Sequence, residues 1–521
     1  MILGGPSGSP FFNASVRIRG GILISYAMQN KLSFGTKVLF GSGAVGEAVF
    51  LGLFNTFIQI FYNQAIGLSN TLIGAAIMLA MIGDAITDPA VGMISDRWRS
   101  KHGRRHPFLF IAPVPLALSL WMIFHPPAFL FGPEQTPNQL GMFAWLAVMT
   151  IISRAFLTLY SVPHVALGGE LSKDQHQRSQ LFSANSVIAY ASGASFAFVA
   201  WSVFLAGDRV RASDGATVPG QLDPAAYSPM ILMACGLILV SIWICAAGTY
   251  RHVGRLSAPE ETSKLTLVKA LREILGTLQN KNYAILLLGF FFFMLTSGIF
   301  DTLQVHIATY YWELPGSDYR WLAIVIAPTA ILGALIAPPL MRRFDRKPVL
   351  LVALAAVVVF AQLDVDLRLL GVLPENGDPD LLPYLLANRS CFGIAIGLGS
   401  VTIMSMIGDI VDDNEVKTGL RQEGLFYSAR AFFAKASYSV GHFVAGIILD
   451  VFVRLPTGAI PGELDGGLLV RMGITAGPVM AVSATISWFI YRRYNLSRSD
   501  HAKIISELEQ RAATKAEKLA E

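Results

Sequence analysis

The amino-acid sequence predicts an all-α integral membrane protein of about twelve transmembrane helices, arranged as two halves of six. Three observations predict it. Of the 521 residues, 53% are hydrophobic and only 14% are charged, against roughly a quarter charged in soluble domains, and mean hydropathy is +0.53. Apolar stretches about 20 residues long, enough to cross a bilayer as a helix, recur from end to end. The widest polar interruption, YRHVGRLSAPEETSKLTLVKALREILGTLQNKNY at 250–283, divides them into two sets of six.

In order, the first set falls at 39–62, 70–94, 107–128, 141–166, 181–206 and 229–249. The second falls at 283–310, 320–341, 348–370, 382–408, 424–452 and 468–491. The resulting plan is an N-terminal extension (1–36), a first half (37–249), a central loop carrying an amphipathic helix (250–282), a second half (283–492) and a tail (493–521). The loops after the second, fourth, sixth, eighth and tenth spans carry DRWRSKHGRRH, SKDQHQR, the central loop, RRFDRK and NEVKTGLRQ. On the other side, NQAIGLSN and GPEQTPNQ hold neither Lys nor Arg. The positive-inside rule makes the basic side cytoplasmic, with both termini on it. The net charge of +5 is therefore a topology signal, and no nucleic-acid partner is expected.

The extension's VRIRGGILISYA resembles a basic n-region and a short h-region without a convincing cleavage site, and Met28 is a second candidate start. The tail has apolar residues at helical spacing and reads as a solvated or frayed cytoplasmic helix. Cys235, Cys245 and Cys391 fall in apolar runs and read as small buried hydrophobes. No Walker motif, GxSxG or HExxH is present, so no enzyme is predicted.

Two carboxylates dominate the functional reading. GDAITDPAVGMISD (83–96) continues the apolar run TLIGAAIMLAMI, which puts Asp84 and Asp88 in the membrane. A charge there costs roughly 2.5–3.5 kcal/mol on insertion scales. Residues i and i+4 share one helix face, and two like charges side by side need a proton or a cation between them. The favoured reading is a monovalent-cation site. The alternative is that Asp88 caps a helix break before Pro89 while Asp84 pairs with an arginine. Lys435 interrupts AFFAKASYSVG and needs water, an anion or an acid. Beside a carboxylate site it can stand in for the cation in the unloaded carrier; otherwise it snorkels to the surface.

Twelve helices in two halves suggest an alternating-access carrier. GMISDRWRSKHGRR after the second span is echoed by PPLMRRFDRKP after the eighth. Asp96, Arg97, Arg104 and Arg105 are candidate gating residues, bridging helix ends in one state and releasing them in the other. The plain alternative is a basic loop that only sets topology.

GDAITDPAVGMISDRWRSKHGRRHPF resembles the second-helix signature of the glycoside–pentoside–hexuronide:cation symporters, the melibiose-permease-like branch of the major facilitator superfamily. KVLFGSGAVGE, LTLYSVPHVALGGELS and GDIVDDNEVKTGLRQEGLFYSARAFFAKASYSVG resemble the first-, fourth- and tenth-to-eleventh-helix regions of the same family. The resemblance implies a major facilitator fold. It also implies a cation held between the second and fourth helices by Asp84, Asp88 and Thr158, with Na⁺ or H⁺ as coupling ion and no other cofactor. Asp84 and Asp88 would be metal ligands for Na⁺ only. Lys435 matches a lysine that faces the central cavity.

The sequence also departs from that pattern. Ala48 and Ser161 stand where sugar-transporting members carry acids, Val165 where they carry a tryptophan, and Ser186 where they carry an arginine. The candidate cavity residues are then Glu47, Ser161, Asp301, Arg430 and Lys435. Other polar residues in apolar surroundings are Arg154, His164, His306 and Arg389. His164, following Pro163 near a helix end, reads equally as a hydrogen-bonding cap or as a ligand contact. Asp301 and His306 flank TLQV and are expected to line the cavity. Arg389 and Arg430 are expected to pair with acids between helices, and LLLGFFFFMLT to be packing or lipid-facing surface. DIVDDNEVK and FYSARAFFAK also resemble the sodium-dependent lysophospholipid symporters of vertebrates, so a lysolipid or other amphiphile is the alternative substrate to a sugar or glycoside. The expected partners are a small-molecule substrate, the coupling cation and membrane lipid. The chain is expected to be a monomer in a bacterial inner membrane. A non-transporting membrane sensor on this fold would be expected to lose the ionisable site that this chain keeps.

Overall fold

In the computed structural model, residues 32–132, 136–172, 174–211, 215–253, 276–420 and 422–520 are described. Most of the N-terminal extension and the expected amphipathic helix of the central loop lie outside the described residues. All twelve apolar stretches form helices long enough to cross a membrane. The first six are α1 (Phe34–Ile66), α2 (Asn70–Arg97), α3 (His106–Phe124), α4 (Gln139–Leu171), α5 (His176–Phe204) and α6 (Pro224–Tyr250). The second six are α7 (Lys281–Tyr311), α8 (Gly316–Phe344), α9 (Arg346–Leu369), α10 (Leu381–Thr418), α11 (Glu423–Val453) and α12 (Gly466–Tyr491). A further helix, α13 (Arg498–Ala520), ends the chain.

Most helices outrun their apolar stretch, because polar side chains close their first turns. Ser33, Asn138, Asp174, Asp223, Asn280 and Asp465 each accept a backbone N–H at a helix start, satisfying donors that have no partner within the helix. Pro89 does not break α2, which runs unbroken to Arg97. The expectation of a helix break at Asp88 is therefore wrong; packing against neighbouring helices holds the helix through the proline.

The two halves repeat one packing scheme. In the first, α1 packs on α5 and α6, α2 on α4, and α3 on α4 and α6. In the second, α7 packs on α11 and α12, α8 on α10, and α9 on α10 and α12. Helices α1, α5, α7 and α11 each end in a wider π-helical turn. These four occupy equivalent places in the two halves.

The halves meet where α2 lies against α11 and α5 against α8. Glycines let α2 and α11 touch backbone to backbone. A Cβ on Gly74 would lie 2.7 Å from Phe443 Cα, and one on Gly446 would strike the Asn70 carbonyl. Hydrogen bonds tie the halves at the end remote from the basic loops, here called the far end. Asp450 of α11 accepts from Ser69 Oγ (2.6 Å), Asn70 N (3.1 Å) and Thr71 N (2.7 Å). Gln64 Oε1 accepts from Tyr310 (2.9 Å) and from the Ala459 N–H (3.1 Å). Trp201 packs edge-on against Tyr319, with ring centroids 4.4 Å apart. A short antiparallel pair, β1 (Asp208–Val210) and β2 (Thr217–Pro219), sets Arg209 opposite Val218 in the loop between α5 and α6.

At the basic end the tail is a docked helix rather than a frayed one. Arg498 donates its backbone N–H to Asp345 (3.1 Å) and its guanidinium to the Arg342 carbonyl (2.8 Å). His501 Nε2 lies 3.0 Å from Asp412 and 3.5 Å from Asp409. Arg511 donates to the Val416 carbonyl at 2.7 Å. All these partners belong to the second half. Cys235 and Cys245 are buried, whereas Cys391 is exposed, against expectation: its apolar run has an outer as well as an inner face.

Candidate functional site

Asp84 and Asp88 project from α2 toward α4. Thr158 donates its hydroxyl to Asp88 Oδ1 at 2.8 Å. Arg154, one turn earlier on α4, donates Nε (3.1 Å) and Nη2 (2.5 Å) to Asp84 Oδ2. Each pair is separated by 70 residues in sequence, as parallel helices in register require. From α11, in the other half, Lys435 Nζ reaches Asp88 Oδ2 at 2.5 Å and Asp84 Oδ2 at 3.4 Å. The structure thus brings Asp84, Asp88, Thr158 and Lys435 together and adds Arg154. The side chains are 4% exposed for Asp84 and 14% for Arg154, against 32% for Asp88 and 41% for Lys435. The cluster has a buried pair and a more accessible pair.

Half of the alternative reading is therefore found: Asp84 does pair with an arginine. The signal was in the sequence. An arginine inside an apolar helix needs an acid, and Arg154 sits four residues before Thr158, on the same helix face. Lys435 stands beside the carboxylates, one of the places the sequence left open for it, and is not among the residues lining the cavity.

Beside the cluster, a cavity of about 860 Å³ lies between the halves, walled by α1, α5, α7, α8 and α10. Its polar lining includes Glu47 of α1, Asn185 of α5, Asp301 and Gln304 of α7 and Ser400 of α10. Aromatic walls come from Phe57, Tyr190, Trp201 and Tyr319. Asp301 and Glu47 both line it, Glu47 having been open in the sequence among the cavity, the cation site and a neighbouring helix, and no lysine, arginine or histidine is among the lining residues. Tyr438 donates its phenol to Asp301 Oδ2, and Gln304 donates to Oδ1 at 3.4 Å. Tyr438 is three residues after Lys435, so one face of α11 serves both the cavity acid and the aspartate pair.

Several expected cavity residues lie elsewhere. Ser161 is half-buried on α4, which contributes nothing to the lining. Arg430 stacks its guanidinium on Phe290 of α7, 4.7 Å from the ring centroid, so part of the phenylalanine run packs an arginine. His306 is buried and bonds back to the Thr302 carbonyl at 3.0 Å. Arg389 lies over Phe300, 4.6 Å from its centroid. His164 is inside α4 rather than near its end; it bonds the Phe40 carbonyl at 3.1 Å and stacks on Phe40 and Tyr160.

The expected gating residues form a compact charge cluster at the basic end of the first half. Arg105 donates to Asp96 (2.5 Å), Glu170 (3.0 Å) and Ser95 (2.7 Å), and Arg104 donates to Glu170 at 2.8 Å. Glu170, at the end of α4, escaped the sequence reading as a gating partner. Arg97 is exposed, with no ion pair among the described residues. The second half repeats the device: Arg346, at the start of α9, pairs with Asp409 of α10 at 3.0 Å and donates to Ser405 at 2.9 Å.

The family model described as MFS/sugar transport protein matches residues 39–498. A putative glycoside/cation symporter of Escherichia coli is 23% identical, over 75% of this chain and 76% of its own. The sodium-dependent lysophosphatidylcholine symporter 1-A of Danio rerio is 22% identical, over 88% and 85%. The solved structure of a D-xylose-proton symporter shares the fold with a TM-score of 0.60 at 13% identity, covering 88% of this chain and 97% of that one. With its twelve helices, its aspartate pair and these likenesses, the chain belongs to the cation-coupled glycoside–pentoside–hexuronide symporter family of the major facilitator superfamily, a family of transporters and not of enzymes.

Proposed function

We propose that the chain is a secondary active symporter that couples entry of Na⁺ or H⁺ to uptake of a small organic substrate by alternating access. The observation that carries this reading is the aspartate pair on α2, bridged from the other half by Lys435 of α11, the helix whose Tyr438 also holds the cavity acid Asp301. A cation at these carboxylates competes with Lys435 and so changes a tie between the halves. Such a state-dependent contact is what coupling requires, and the coupling is reciprocal. Closure of the far end by Asp450, Gln64 and Trp201 supports an inward-facing state. The basic loops and both termini are then cytoplasmic, and the chain works as a monomer in a bacterial inner membrane.

The cavity favours a neutral or cationic polar group joined to an apolar body. Two carboxylates and amides suit hydroxyl donors, the aromatic walls suit ring faces, and an anion would meet Glu47 and Asp301 without a basic partner in the lining. A glycoside with a bulky aglycone fits best. The Ala- and Ile-rich wall of α8 supports a lysolipid as the second reading.

The test is uptake by proteoliposomes of a panel of glycosides and lysolipids, with and without an imposed cation gradient. Accumulation is expected only with the gradient, and is expected to vanish in Asp88→Asn. Equal equilibration of every compound regardless of gradient would overturn symport.

A further inference from the structure

The Asp84–Arg154 pair limits which ion the aspartates accept. Arg154 places two N–H groups on one carboxylate oxygen of Asp84, and its guanidinium also lies over the Phe54 ring of α1, 5.8 Å from the centroid. A guanidinium stays charged at any working pH. It is almost buried, with its acid more buried still. Two carboxylates, Asp84 and Asp88, already face two cations, Arg154 and Lys435.

A Na⁺ held jointly by Asp84 and Asp88 would displace Lys435 and still sit beside the guanidinium. At a separation of about 4 Å and an effective dielectric constant of about 20, that repulsion weakens binding roughly a thousandfold. Lys435 can yield, because its side chain is half-exposed and its flexible stem lets the ammonium swing away. Arg154 has no such exit.

We infer that Arg154 is a built-in cation of this site: it takes the place at Asp84 that an inorganic monovalent cation needs, and so excludes Na⁺ from joint coordination by Asp84 and Asp88. The inference rests on reading the aspartate pair as the cation centre. It makes Arg154 the ion-specificity residue of the transporter. One route past it is visible, since Asp84 Oδ1 is buried with no hydrogen-bond partner. The experiment addresses that route directly.

The purified full chain is melted in NaCl and in choline chloride at equal ionic strength. A ligand bound only by the folded state raises stability by RT ln(1 + [L]/Kd). The wild type is expected to melt at the same temperature in both salts. Arg154→Gln is expected to melt several degrees higher in NaCl, and to lose that rise when Asp88→Asn is added. Arg154→Lys keeps the charge and is expected to stay indifferent to Na⁺. Should glutamine prevent folding, Arg154→Met, which keeps an apolar stem against Phe54, replaces it. A Na⁺-dependent rise in the wild type that disappears in Asp84→Asn overturns the inference, as does a folded but indifferent Arg154→Gln. Either result leaves symport standing, because symport fails separately, when no cation gradient drives accumulation in the proteoliposomes.

Discussion

Asp450 of α11 receives the backbone N–H of Thr71 at 2.7 Å, so the second half of the protein caps the first turn of a helix in the first half. The helix N-terminus carries partial positive charge, and the same carboxylate also takes Ser69 and Asn70. A helix cap contributes about 0.5–2 kcal/mol. In Asp450→Ala the closed far end should lose roughly two- to thirtyfold in population against its open form. A cysteine placed in the cavity by Ser400→Cys, in a Cys391→Ser background, should then label faster with an impermeant maleimide from the far side. An unchanged labelling rate would show that the cap does not hold the seam.

Tyr438 and Gln304 orient Asp301 at the cavity wall. A hydrogen bond to a charged group contributes about 1.5–3 kcal/mol. Asp301→Asn should raise the KM for the identified substrate about ten- to hundredfold. Tyr438→Phe should raise it less, since Gln304 remains. Both variants should reach the membrane at wild-type levels, which surface quantification checks alongside uptake.

Arg97, the last residue of α2, and Arg105, just before α3, flank one loop with opposite burial. The Arg105 side chain is 5% exposed and serves two acids, so Arg105→Ala leaves Glu170 to Arg104 alone. Breaking a buried pair costs up to about 3–5 kcal/mol, less here because Asp96 is half-exposed. Arg97 is exposed, and Arg97→Ala should stay within about 0.5 kcal/mol of wild type. Melting curves of the two variants should separate by several degrees, and coincident curves would remove the structural case for a gating cluster.

Lys435→Met should uncouple transport without abolishing it. Among the described residues Asp88 then keeps the Thr158 hydroxyl alone, and its tie to the second half is gone. Substrate counterflow should persist while gradient-driven accumulation is lost. Retained accumulation would mean that Lys435 takes no part in coupling.

Much of this architecture is legible in the sequence because span length and hydropathy are properties of each segment alone. The twelve helices, the basic loops and the Asp84–Asp88 face needed no knowledge of neighbours. The partners did. Whether Arg154 meets Asp84 depends on α2 and α4 lying parallel and in register, which no local pattern encodes. Arg430 illustrates the reverse error: an arginine in an apolar helix was expected in the cavity or on an acid, yet it rests on the Phe290 ring, a partner that carries no charge to betray it. Glu170 lies 65 and 66 residues from Arg105 and Arg104 in sequence, and only the fold brings them together. Ser161 stayed out of the cavity because α5 and α8, rather than α4, wall it.

The glycines at the meeting of α2 and α11 bear on speed rather than on stability. Most helix pairs interlock side chains, and sliding them means lifting each knob from its hole. Where Gly74 faces the Phe443 backbone and Gly446 faces Asn70, there is no knob to lift. That contact offers a smooth surface between the halves, with no side-chain knob to unseat. The ties left across the halves are then those of Asp450, Gln64 and Lys435 and the Trp201–Tyr319 contact, so the work of separating the halves falls on a few named groups.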